Sequence, residues 1–183
     1  MYGLVNRAIE QLVVSLKGDA AWQRICRAAG WDDESFIALQ SYDDQVTYRL
    51  VGAVSQELGI PPDQVLRAFG EYWILYTADQ GYGELMNVCG SNLREFLHGM
   101  NHMHARIETS MPQMRTPHFE IEDTGEHTLR LTYHSEREGL APMVEGLIIG
   151  LGKRFGQVVQ ISLASPRGPG RSHDVFEVSW TEA

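Results

Sequence analysis

Apolar residues in the first hundred positions return every three or four residues, the period of one face of a helix. Leu4, Val5, Ala8, Ile9, Leu12, Val13 and Leu16 form the first stripe, and Gly18 supplies its stop. Asp19 is placed to cap a second helix that carries Trp22, Ile25 and Cys26 and ends near Gly30. From about Asp43, the positions Val46, Leu50, Val54 and Leu58 predict a third helix ending at Gly59. Pro61 and Pro62 then open a fourth, with Val65, Phe69, Tyr72, Trp73 and Tyr76. After a glycine-rich break at Gly81, Gly83 and Gly90, Ser91 is placed to cap a fifth helix that runs to about Met111.

Beyond Pro112 and Pro117 the period changes to two. His118 to Asp123 reads as a strand, Thr124-Gly125 as a tight turn, and Thr128 to Ser135 as a second strand with Leu129, Leu131 and Tyr133 on one face. Ala141 to Phe155 predicts a helix, and Val158 to Ala164 and Val175 to Trp180 two more strands joined by the loop 166–171. Helices first, then strand-strand-helix-strand-strand, imply an α+β fold. An N-terminal helical part (1–111) would pack on a C-terminal α/β part (112–183) with an antiparallel sheet, the two forming a single domain over 1–183.

Composition narrows the function classes. Fifteen basic residues against 24 acidic ones give a net charge of −9, which argues against a nucleic-acid surface. The N-terminus lacks the basic-then-apolar layout of a signal peptide. The most apolar stretch, Leu140 to Leu151, is broken by Glu145 and too short to span a bilayer. No membrane and a cytoplasmic location are therefore expected, with Cys26 and Cys89 as buried free thiols in a reducing compartment.

Two constellations carry candidate chemistry. In the fifth helix the apolar stripe Leu93, Leu97, Met100, Ile107 and Met111 leaves one place, 104, to a histidine, so this imidazole faces the packed side. It is either a core histidine satisfied by its neighbours or a ligand. His98 and His102 lie on another face, where solvent exposure or a weak surface metal site with Glu95 are the readings. At the end of the second strand, Tyr133, Ser135 and Arg137 share the inward face of Leu129 and Leu131. Three hydrogen-bond donors at the lip of a core suit a bound anion, although an internal salt bridge plus a buried tyrosine would give the same pattern. One ligand answers both: a flat apolar body, an atom that accepts an imidazole, and acidic groups at one edge. Haem has all three.

With these residues in view, the sequence resembles the H-NOX family, the haem nitric oxide/oxygen-binding domains that include the haem domain of soluble guanylate cyclase. The resemblance covers essentially the whole chain. It rests on Met1-Tyr2-Gly3, Phe69-Gly70-Glu71-Tyr72-Trp73, His104-Ala105-Arg106 followed by Pro117, and above all Tyr133-x-Ser135-x-Arg137. Stand-alone cyanobacterial members are the most similar. The resemblance implies haem b buried between the two parts, His104 as axial ligand, Tyr133, Ser135 and Arg137 on the propionates, and Pro117 pressing on the macrocycle. Val5, Trp73 and Met143 would line the gas pocket.

The resemblance further implies a regulatory protein rather than an enzyme. Oxygen-binding members have a distal tyrosine where Met143 falls here, so NO and CO binding with little stable O2 is expected. Trp73 either turns its indole N–H inward or simply packs. NO would weaken the bond to His104 and shift the proximal helix. The chain ends at Ala183 without an output module, so a separate signalling protein, such as a histidine kinase or a cyclic-di-nucleotide enzyme, is expected to read the change. The rivals are a haem enzyme such as a peroxidase, which needs a distal acid–base pair, and a non-haem module for an apolar acid, which would use Arg137 and leave His104 idle.

Overall fold

The computed structural model of the chain describes residues 1–32 and 35–182. Seven helices, α1 (Gly3–Lys17), α2 (Asp19–Ala28), α3 (Asp44–Leu58), α4 (Pro62–Thr77), α5 (Gly83–Cys89), α6 (Leu93–Ser110) and α7 (Ala141–Arg154), accompany four strands among the described residues. The strands are β1 (His118–Gly125), β2 (Thr128–His134), β3 (Gln157–Ser165) and β4 (His173–Glu182), all antiparallel in the order β1-β2-β4-β3. The expected α+β arrangement is the observed one.

Local chemistry sets most boundaries. Gly18, Gly30 and Gly59 stop α1, α2 and α3 with positive φ angles of 78°, 66° and 66°, which L side chains rarely adopt. Asp43 caps α3 by accepting from the Gln45 N–H at 2.8 Å. Elsewhere the structure departs from the sequence expectation. Asp19 opens α2 without capping it, because Gly18 holds the cap position and no side-chain cap bond forms. The glycine-rich stretch is a π-helical turn (Ala78–Tyr82) that leads into α5 rather than a bare break. Asn92, not Ser91, caps α6 by accepting from Glu95 N–H at 3.0 Å, while Ser91 binds the Glu95 carboxylate. The β1–β2 turn lies at residues 126–127 because Thr124 and Gly125 still belong to β1. Leu16 is exposed although it continues the α1 stripe.

Two apolar clusters result. One joins α1 to α4 through Leu4, Ile9, Trp22, Leu50 and Phe69, and the other lies under the sheet with Leu97, Leu129, Ile148 and Phe176. The α4–α7 pair ties them together. Gly70 of α4 faces the Met143 carbonyl, and Gly146 of α7 faces the Arg67 carbonyl, so the two backbones lie in direct contact. Arg67–Glu145 and Lys153–Glu71 ion pairs flank this contact. Cys26 is buried, and burial pushes its thiol up to about 11, so it stays protonated and unreactive at neutral pH. Cys89 is only half-buried, less than the sequence suggested. No described helix is long and apolar enough to cross a membrane.

Candidate functional site

A cavity of about 500 Å³ lies where α1, α4 and α7 meet α6 and the sheet, lined mainly by apolar side chains. The α6 stripe places Leu93, Leu97 and Met100 in the core, and the same spacing delivers His104 to the cavity wall. His104 Nδ1 lies 3.1 Å from the Pro117 carbonyl oxygen. A carbonyl can only accept, so Nδ1 carries the hydrogen and Nε2 keeps its lone pair. Burial lowers the imidazole pKa, against the opposing pull of the Pro117 carbonyl and Glu108, so the ring is neutral at pH 7. Neutral imidazole is the form that binds a metal. The ring also leans on Phe119, with centroids 5.9 Å apart.

β2 leads into the triplet, with Tyr133 in the strand and Ser135 and Arg137 just beyond it, all three lining the same cavity. Tyr133 is buried, aligned with Phe119 of β1 on one side and Asp174 of β4 on the other. Burial pushes its phenol pKa up, and a hydrogen bond with Ser135 pulls it back. Ser135 Oγ accepts from the Arg137 backbone N–H at 3.1 Å. Arg137 donates from Nε to Asp44 Oδ2 at 2.7 Å, from Nη2 to Asp44 Oδ1 at 3.4 Å, and from Nη1 to the Arg115 carbonyl at 2.7 Å. A guanidinium has five N–H donors, so these three bonds leave two for an anion. Asp44 also pairs with the N-terminal ammonium. Burial works to raise its pKa, but the ammonium and Arg137 outweigh burial and hold it below the usual range.

Pro117, Val5, Trp73 and Met143 line the same cavity as His104, Tyr133, Ser135 and Arg137. The Trp73 ring is held between Phe69 and Tyr76, each with its centroid 5.9 Å away. His98 and His102 are exposed on another face of α6. His98 Nε2 lies 3.1 Å from Asp123 Oδ2 while Glu95 is taken by Ser91, so the weak surface metal reading is not realised. Among the described residues, no group of three His, Cys, Asp or Glu is placed to hold a metal ion.

Three partners of the triplet escaped the sequence reading. Asp44, next to the expected helix start at Asp43, carries no signal of its own. Arg167, in a loop read as a connector, donates to the carbonyls of Ser135 at 2.7 Å, Arg137 at 2.9 Å and Ser172 at 2.7 Å. Its backbone N–H bonds to Asp174 Oδ1 at 2.8 Å. A signal was available, since Asp174 shares the inward face of Phe176, Val178 and Trp180. A carboxylate on an apolar face calls for a cation or several donors.

Comparison with known proteins follows the same lines. The family model described as Haem-NO-binding matches residues 2–163. Two soluble guanylate cyclases of Caenorhabditis elegans are 32% and 30% identical over 84% and 85% of this chain, which spans 23% of the length of each. An H-NOX protein from S. oneidensis, in the Fe(II)NO ligation state, has the same fold with a TM-score of 0.90, 22% identity and full coverage of both chains. The Fe(II) unliganded H-NOX protein from K. algicida gives 0.85 at 20% identity, covering 100% of this chain and 98% of its own. These matches do not order the bacterial branches, so nearness to cyanobacterial members is not among what they support. On a family model that takes in most of its length, the chain belongs to the haem-NO-binding, or H-NOX, family.

Proposed function

We propose that the chain is a haem b sensor that binds NO and CO, holds little stable O2, and passes the signal through the helix carrying His104. One observation carries this reading: the neutral His104 imidazole, its Nδ1 committed to Pro117, lies in the wall of an apolar cavity that Tyr133, Ser135 and Arg137 also line. The residues fit the group. His104 offers Nε2 to an iron, the apolar lining suits a porphyrin face, and Arg137 and Tyr133 offer donors to its acid edge. The cavity is lined from both 1–111 and 112–183, which favours one domain over the whole chain.

When bound, haem would supply an iron able to take a diatomic gas, with His104 as the residue that would hold it. The chain's own residues do the rest. Arg137, steadied by Asp44, would hold one carboxyl edge, together with Tyr133 from β2 and Ser135 just beyond its end. Pro117 orients the imidazole through its carbonyl and lines the same cavity. His104 stands mid-stripe on α6 with Met100 and Leu97, so a change in its hold on the iron would be felt in the packing of α6 against the sheet. The change is read by a signalling protein such as a histidine kinase or a cyclic-di-nucleotide enzyme. Val5 and Met143 offer bound gas no proton, which disfavours O2. Among the described lining residues, His104 is the one histidine, which favours the sensor over a peroxidase that uses a distal histidine.

Two measurements test this reading. Protein reconstituted with haem is expected to show a Soret band that changes with NO and CO, with no oxygen complex lasting minutes in aerated buffer. A colourless product, or a persistent oxygen complex, contradicts it. Arg137→Ala is expected to weaken haem binding roughly ten- to a hundredfold in transfer to apomyoglobin, as loss of charge-assisted bonds does. Unchanged affinity would remove Arg137 from the site.

A further inference from the structure

β1 is an edge strand, paired with β2 alone, so each second residue turns an N–H and a C=O away from the sheet. At Phe119 those groups do not face water. Asn101 of α6 donates from Nδ2 to the Phe119 carbonyl at 2.6 Å and accepts from the Phe119 N–H at Oδ1, at 3.0 Å. One side-chain amide thus takes the place of a neighbouring strand. It stands one helical turn before His104, and Phe119 stands two residues after Pro117, whose carbonyl takes the His104 Nδ1–H. The Phe119 ring also supports the imidazole. The helix that carries the candidate iron ligand is therefore tied to the segment that orients it at two successive points. The nearer tie is the ligand's own hydrogen bond.

We infer that Asn101 is a positioning residue for His104: by locking α6 onto the Phe119 backbone it sets the length of the bond between His104 and Pro117, and so the strength with which the imidazole holds iron. A stronger Nδ1–H···O=C bond makes the imidazole a better donor at Nε2. Without the amide, α6 is free to slide along β1 and that bond slackens. The inference rests on the haem reading above for its consequence at the iron, but the geometry it asserts belongs to the protein alone.

Asn101→Asp and Asn101→Leu test it. The aspartate is isosteric and keeps the acceptor for the Phe119 N–H, but sets a carboxylate oxygen against the Phe119 carbonyl, while leucine removes both bonds. In ferrous haem-loaded protein, resonance Raman is expected to show the iron–histidine stretch moving to lower frequency in Asn101→Asp and further in Asn101→Leu, with far-UV circular dichroism unchanged. In protein without pigment, nitrogen NMR of the His104 ring is expected to show loss of the Nδ1–H tautomer in the same order. An edge-strand cap with no influence on His104 would move neither signal, and unchanged ring signals in Asn101→Asp overturn the inference. If the leucine variant fails to fold, the isosteric variant decides. If the parent protein shows no iron–histidine band, the haem reading falls and the NMR series still judges Asn101.

Discussion

Replacing His104 with glycine is expected to abolish tight haem binding, with free imidazole restoring much of it. Residues that merely orient a metal ligand cost ten- to a hundredfold when removed, and loss of the ligand itself is expected to exceed roughly a hundredfold. The other two histidines of α6 offer no substitute. His98 and His102 are exposed on a different face, and His98 faces Asp123. The substitution leaves a hole of imidazole size beside Pro117 and Phe119, into which added imidazole fits. Titrating haem into the variant, with and without imidazole, and following the Soret band is the measurement. A normal band in the variant without imidazole would move the ligand to another side chain and remove the main support for the proposed function.

The largest loss of stability is expected at Gly146. A Cβ there would come within 2.0 Å of the Arg67 carbonyl oxygen and 3.0 Å of the Glu71 backbone nitrogen, both on α4. Backbone cannot rotate away as a side-chain tip can, so Gly146→Ala must push α7 off α4. Overpacking of this kind costs about 1–3 kcal/mol and more where helices must part, and a loss of about 3 kcal/mol lowers the Tm of a chain this size by ~6–12 °C. Gly52→Ala supplies the contrast. Gly52 lies inside α3 with no heavy atom within 4 Å of an added Cβ, so alanine is expected to stabilise by about 0.5–1 kcal/mol through helix propensity. Thermal unfolding of the two variants should move in opposite directions. Equal shifts would mean that the α4–α7 contact is looser than the structure shows.

The order of helices and strands was legible because apolar period is a local property. His104 could be singled out for the same reason, as the one polar residue in a stripe that otherwise reads Leu93, Leu97, Met100 and Ile107. Inward parity likewise marked Tyr133, Ser135 and Arg137. What local pattern does not carry is which distant residue meets which. Asp44 reaches Arg137 across 93 positions, and Asn101 reaches Phe119 across 18, on elements whose juxtaposition only the packed chain determines. Short elements were misread for a related reason. The seven residues of α5 sit in a segment where Gly81, with φ 91°, and Gly83 signal a break more loudly than Leu85 and Met86 signal a helix. The cap of α6 was misplaced by one because Ser91 and Asn92 are both good caps, and the winner is settled by which one reaches the Glu95 N–H.

Arg167 has a consequence for how fast and how tightly an anionic edge can be gripped. Its guanidinium already fastens the main chain at residues 135, 137 and 172. Capture of a carboxylate, as proposed for this site, would therefore need to order only side-chain tips, at about 0.5–1.5 kcal/mol each, and no loop. Lysine in its place carries the same charge but not the planar fork that reaches three carbonyls at once. A grip prepared in this way spends little free energy on its own assembly, and leaves more of it to strain whatever it holds.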